Sequence, residues 1–118
     1  MIYPVHPPHY ITQRFGENPK DYERFNLKGH NGLDLAVPIG TAVKAAADGI
    51  VEKVAKDAKG YGEYVKVRHT SPQACTTLYA HLDRVLVVMG DNVSQGQVIG
   101  KSGSSGNSTG PHLHFEVR

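Results

Sequence analysis

Hydrophobic and polar positions alternate with a period of two along most of the second half of this chain. In Glu63-Tyr64-Val65-Lys66-Val67-Arg68-His69, the residues Val65, Val67 and His69 oppose Tyr64, Lys66 and Arg68, which predicts a strand with one buried and one solvated face. His69 falls on the buried side, so a structural role is expected for it rather than a ligand role. Thr76 to Leu82 reads as a second strand, with Thr77, Tyr79 and His81 on one face and Leu78, Ala80 and Leu82 behind. Near the end, Leu113, Phe115 and Val117 point one way while His112, His114 and Glu116 point the other. Thr41 to Ala46 and Ile50 to Val54 flank Asp48-Gly49, a turn signal that predicts a hairpin. Val93 to Gly100 predicts a further turn and short strand.

The first thirty residues keep no period and are punctuated by Pro4, Pro7, Pro8, Gly16, Pro19 and Gly29. They predict an extended arm over 1–28 packing on a domain over 29–118, with one short helical turn at Asn18 to Phe25, Asn18 serving as its cap. The expected fold class is all-β, mainly antiparallel and loop-rich, with helical turns at most, in a single globular domain.

Composition narrows the function classes. A chain of 118 residues with formal charge +2 is one domain with a mildly basic surface, and its thirteen Lys and Arg residues form no dense run. Nucleic-acid binding is therefore not expected. No stretch approaches membrane-spanning length, and the N-terminus lacks the basic flank and apolar run of an export signal. Cys75 is the lone cysteine, which leaves no disulfide framework within the chain.

The candidate chemistry lies in three places. In His30-Asn31-Gly32-Leu33-Asp34, glycine lets the backbone fold back so that an imidazole and a carboxylate converge, as a borderline-soft dication requires. Capping of a turn by Asp34 beside an exposed His30 is the alternative. By spacing alone His112 and His114 are more often two partly exposed strand histidines; on one strand face they also suit a first-row metal, one as ligand and one to handle a proton beside it. Glu116 on the same face either orients a ligand or is a surface glutamate. His81 ends a strand from which it can reach a groove, with Tyr79 on the same face. The Ser- and Gly-rich run from Ser102 to Gly110 leads directly to His112, so it is read as a loop bordering the site, with Asn107, Ser108 and Thr109 as groove-lining candidates. His6 and His9 have no partner at ligand spacing and are read as surface residues.

His30-Asn31-Gly32-Leu33-Asp34, Tyr79-Ala80-His81-Leu82 and Gly110-Pro111-His112-Leu113-His114-Phe115-Glu116, in that order, resemble the lysostaphin and LytM type of zinc endopeptidase, the M23 peptidase family. Ala45 to Val51, Gly60 to Val65 and Gly96 to Gly100 extend the similarity over about Gly29 to Arg118. The arm before Gly29 is similar to versions of this domain in bacteriophage proteins. The resemblance implies one zinc per chain held by His30, Asp34 and His114, with His81 and His112 as the catalytic histidines beside it. It implies hydrolysis of peptide cross-links or bridges of bacterial peptidoglycan, acting at the cell wall, with wall peptides as partners and a monomer as the expected state. A catalytically silent wall-binding or regulatory module of the same fold is the alternative, and the full set of five site residues argues against it. Around His69 to Cys75 the family often has a shorter turn, so that rim is expected to differ.

Overall fold

The computed structural model describes residues 2, 4–5, 10–13, 32–57, 60–70, 74–106 and 110–118. The expected helical turn at Asn18 to Phe25 lies outside them, as do His6, His9, His30, Asn107, Ser108 and Thr109. The described residues form nine strands and no helix: β1 Tyr10–Gln13, β2 Gly32–Ala36, β3 Ala42–Lys44, β4 Gly49–Asp57, β5 Gly62–His69, β6 Cys75–Val85, β7 Asn92–Val93, β8 Val98–Ser102 and β9 Leu113–Val117. No helix among them is long and apolar enough to cross a membrane. The strands pair antiparallel in the order β1-β2-β9-β6-β5-β4-β7, and β8 joins β3 to β6. The all-β expectation is met.

Register turns the sequence alternation into two faces. Tyr79 lies opposite Phe115 and Thr77 opposite Val117, whereas Ala80 lies opposite His114 and Leu78 opposite Glu116. Asp34 also lies opposite His114, on the other side of β9. Leu33, Leu35, Val65, Val67, Tyr79, Phe115 and Val117 accordingly fill the main core. The second face carries a smaller cluster of Tyr64, Leu78 and Ala80, and beside it the row Asp34, His114 and Glu116. Burying an aliphatic or aromatic side chain contributes roughly 1.5–3 kcal/mol, so the main core fixes the register and the polar row follows from it.

The longest strand, β6, is also the irregular one. Between its pairings Val65 with Tyr79 and Glu63 with Leu82, two β6 residues oppose one residue of β5. His81 is the bulged residue and the only described non-glycine with positive φ, at 63°. A bulge re-aims a side chain and restarts the alternation, so Leu82 returns to the main core. At the same point the partner of β6 on its other side changes from β9 to β8. This corrects the expected shared face of Thr77, Tyr79 and His81: strict alternation would have placed His81 on the core face.

The hairpin expected across Asp48-Gly49 is also not formed. β3 pairs with β8, and β4 pairs with β5 and β7. Ala45, Ala46 and Ala47 are buried between them. A closed hydrogen-bond chain pins this segment: the Ala46 N–H donates to the Tyr79 hydroxyl at 3.0 Å, which lies 2.7 Å from Thr77 Oγ1. Thr77 Oγ1 is 2.7 Å from His69 Nε2, and His69 Nδ1 is 2.7 Å from the Asp48 carbonyl oxygen. Because a carbonyl can only accept, His69 carries its proton on Nδ1, and the hydroxyls of Tyr79 and Thr77 donate in turn toward Nε2. Gly49 serves close approach instead of a turn, since a Cβ there would lie 2.8 Å from His69 Nδ1 and from Val67. His69 thus has the structural role expected for it.

Part of the N-terminal arm is seen against the domain. The Ile2 N–H donates to the Ala46 carbonyl at 2.9 Å, the Lys44 N–H donates to the Pro4 carbonyl at 2.7 Å, and Val5 is buried in the main core.

Candidate active site

Four of the expected site residues meet on the second face. The β2 and β9 register sets Asp34 directly beside His114, and Asp34 Oδ1 lies 2.7 Å from His114 Nδ1. His112, held where an isolated bridge joins it to Gly103, places Nε2 3.8 Å from the same oxygen, beyond hydrogen-bond reach. The His81 ring stands 4.7 Å from that of His112 and 6.2 Å from that of His114, centroid to centroid. The fifth expected residue, His30, lies outside the described residues.

Each ring is oriented through its second nitrogen. His81 Nδ1 donates to the Ser105 carbonyl at 2.6 Å and His112 Nδ1 to the Gly110 carbonyl at 2.9 Å, so in a neutral His81 ring the Nε2 lone pair can accept a proton. His114 is turned the other way: its Nε2 lies 2.8 Å from Glu116 Oε2, and Nδ1 faces Asp34. Glu116 is not a surface glutamate, being only 6% exposed. Its Oε2 also accepts from the Tyr61 hydroxyl at 2.9 Å and its Oε1 from Arg118 Nε at 2.8 Å.

The electrostatics follow this geometry. Burial favours a neutral His114, but the hydrogen bonds and charges of Asp34 and Glu116 outweigh it and raise its pKa to about 9. Burial likewise opposes ionisation of Asp34, and the hydrogen bond and charge of His114 prevail to hold it below its usual value. For Glu116, burial is overcome by His114, Tyr61 and Arg118, and its pKa falls to about 2. His81 moves down, first through burial, against the Ser105 carbonyl, and with help from the neighbouring His112 and His114. It is therefore neutral near pH 7, in the form that takes a proton.

The Asp34 and His114 donors suit a dication. A carboxylate oxygen and an imidazole nitrogen face each other across 2.7 Å, sharing a proton that a dication would displace while keeping both as ligands. The described residues alone contain no group of three or more His, Cys, Asp or Glu able to hold a metal.

Tyr79, expected to line the groove, does not. It is fully buried on the opposite face against Phe115, with ring centroids 5.4 Å apart, because the β6 bulge falls after it. Sequence reasoning missed Tyr61, Ser105 and Arg118. Ser105 ties the loop after β8 to the site, its hydroxyl donating to the Leu82 carbonyl at 2.6 Å and accepting from the Glu63 N–H at 3.2 Å. Gly62 and Gly106, both at positive φ, let these two loops touch backbone to backbone, and a Cβ on Gly106 would strike Gly62 N and the Gly60 carbonyl. The only sequence signal was the glycine spacing of Gly60-Tyr61-Gly62.

A family profile described as Peptidase family M23 matches residues 28–118. The chain belongs to peptidase family M23. Among curated relatives of the M23 domain, it is 47% identical over 90 residues to the peptidoglycan DD-endopeptidase ShyC of Vibrio cholerae, covering 76% of this chain and 20% of ShyC. Among solved structures, it superposes on a zinc-containing peptidase from Vibrio cholerae with a TM-score of 0.81 and 41% identity, covering 98% of this chain and 35% of that one. A mutant catalytic domain of the prophage-encoded M23 protein EnpA from Enterococcus faecalis gives a TM-score of 0.79 at 35% identity, covering 99% and 85%. The chain spans 20–28% of the length of the curated relatives it matches.

Proposed function

We propose that this M23 domain is a zinc-dependent endopeptidase that hydrolyses peptide cross-links of bacterial peptidoglycan at the cell wall, as a monomer with one zinc per chain. The observation that carries the reading is the meeting of Asp34, His114, His112 and His81 on one partly open face, with the His81 proton held on Nδ1. The relatives named as peptidoglycan DD-endopeptidases favour direct cross-links over glycine bridges as the substrate.

In this reading His30, Asp34 and His114 hold the zinc. When bound, such an ion polarises a carbonyl and makes hydroxide available near neutral pH. His81, kept neutral with its proton on Nδ1, takes a proton at Nε2 from water in the groove and returns it to the leaving amine. A positioned base and acid of this kind contributes roughly a hundredfold to ten-thousandfold. His112, held by its Nδ1 bond to the Gly110 carbonyl with its ring 4.7 Å from that of His81, is the second catalytic histidine of this reading. Asn107, Ser108 and Thr109, in the loop that begins with Ser105, are proposed to line the groove.

The test is digestion of purified sacculi with directly linked stem peptides, and of walls with glycine bridges, followed by identification of the new amino termini. Conversion of cross-linked muropeptides to monomers in the first preparation is expected. Cleavage only in glycine bridges would move the substrate assignment, and no cleavage by protein carrying full zinc would favour the silent wall-binding module.

A further inference from the structure

Tyr61 touches both halves of the site by separate atoms. Its hydroxyl donates to Glu116 Oε2 at 2.9 Å and accepts from Arg118 Nη2 at 2.8 Å. Its ring stacks on His114 with centroids 6.0 Å apart and planes 21° from parallel. Its backbone carbonyl accepts the His81 N–H at 2.7 Å, at the bulge where φ is positive. Every polar atom in the tether has a partner of the right sense: Arg118 Nε donates to Glu116 Oε1, and the Tyr61 hydroxyl and His114 Nε2 both donate to Oε2.

Resting on the functional reading above, we propose that Tyr61 is a positioning residue that couples the zinc ligand His114 to the proton carrier His81. Through Glu116 it fixes His114 in the tautomer with hydrogen on Nε2, which leaves Nδ1 to the metal. Through its carbonyl it holds the strained turn that swings His81 from the core face to the site. One side chain and its own peptide group thus set the spacing between the ligand and the base. Arg118 completes the tether by gripping both Glu116 and the Tyr61 hydroxyl.

The coupling is testable without any measurement of hydrolysis. In Tyr61→Phe the ring stack and the carbonyl stay, and only the hydroxyl is lost. Its zinc dissociation constant, from competition with a chelator, is expected to rise about tenfold, the low end for loss of a group that orients a metal ligand. Arg118→Met is expected to act similarly, and the double variant to fall short of the combined effects because both act through Glu116. The His81 ring ¹⁵N resonances should be unmoved in Tyr61→Phe and shifted in Tyr61→Ala, where the anchor of the loop goes. Unchanged zinc affinity in Tyr61→Phe, or His81 resonances indifferent to Tyr61→Ala, would overturn the proposal. If the wild type takes up no zinc, the functional reading fails by itself, while the His81 ring ¹⁵N resonances of metal-free wild type and Tyr61→Ala still test the link from Tyr61 to His81.

Discussion

His69 and His81 sit on neighbouring strands, and each gives its Nδ1 proton to a backbone carbonyl, Asp48 in one case and Ser105 in the other. Their second nitrogens have opposite fates. His69 Nε2 is closed off by Thr77 and by the hydroxyl chain behind it, so the ring is a strut that ties β5 and β6 to the Ala46 to Asp48 segment. His81 Nε2 faces the space shared with His112 and His114. The difference comes from one backbone bulge, which moves a ring from the face where alternation would bury it to the face where it can act. Residue type, burial and tautomer are nearly the same in both places. What separates the two histidines is whether the second nitrogen has been supplied with a hydroxyl donor.

Substitution at the ligand should break the reactive side of this comparison most severely. His114→Ala is expected to lose both zinc and activity, because it removes a coordinating nitrogen and leaves Glu116 without one of its donors. His81→Ala is expected to keep its zinc and still lose about a hundredfold or more in wall digestion, since only the proton carrier is gone. Zinc stoichiometry measured alongside the digestion rate decides between these outcomes, and loss of zinc in His81→Ala with retention in His114→Ala would invert the two assignments.

On the structural side, His69→Ala should leave zinc content and turnover of the folded protein intact but destabilise it by about 3 kcal/mol, as the Asp48 carbonyl and Thr77 hydroxyl lose buried partners. Chemical denaturation gives the number. The pH dependence sharpens the contrast further. Burial lowers the His69 pKa from 6.5, so in the window below 6.5 the unfolded chain binds more protons than the folded one, and stability rises with pH there. This contribution is present above 6.5 and is lost as the pH falls through the lowered folded value. The stability difference between wild type and His69→Gln should therefore shrink as the pH drops below 6.5.

The smallest effect concerns the bulge itself. A side chain at φ 63° strains the backbone by about 1 kcal/mol relative to glycine, so His81→Gly should be at least as stable as His81→Ala by calorimetry while equally inactive. A less stable glycine variant would mean that the positive φ is not a source of strain at the bulge.

Much of this arrangement was legible in the sequence, but not the part that sets it apart from an ordinary sheet. Alternation assigned the faces of β5 and β9 because the extra residues in the pairings of β5 lie on β4 and β6, while β9 pairs in even register with β2 and β6; the position of Asp34 beside His114 follows from register. Tyr79 was misplaced because nothing in Thr77 to Leu82 announces a bulge at His81, a histidine being only modestly tolerant of positive φ. Asp48-Gly49 was misread as a hairpin because its glycine is needed for contact with β5 and not for a turn. Tyr61 and Arg118 were passed over since their partners lie 55 and 57 residues away, a relation that no local pattern encodes.

The contact between Asp34 and His114 spans 80 residues of chain, and this has a bearing on when the protein becomes competent during synthesis. A growing chain can pair β4 with β5 and β5 with β6 as soon as these leave the ribosome, since their contacts are local and cheap to close. Asp34 can pair with Gln13 of β1 early, but it meets His114 only when β9 has been made and inserted between β2 and β6.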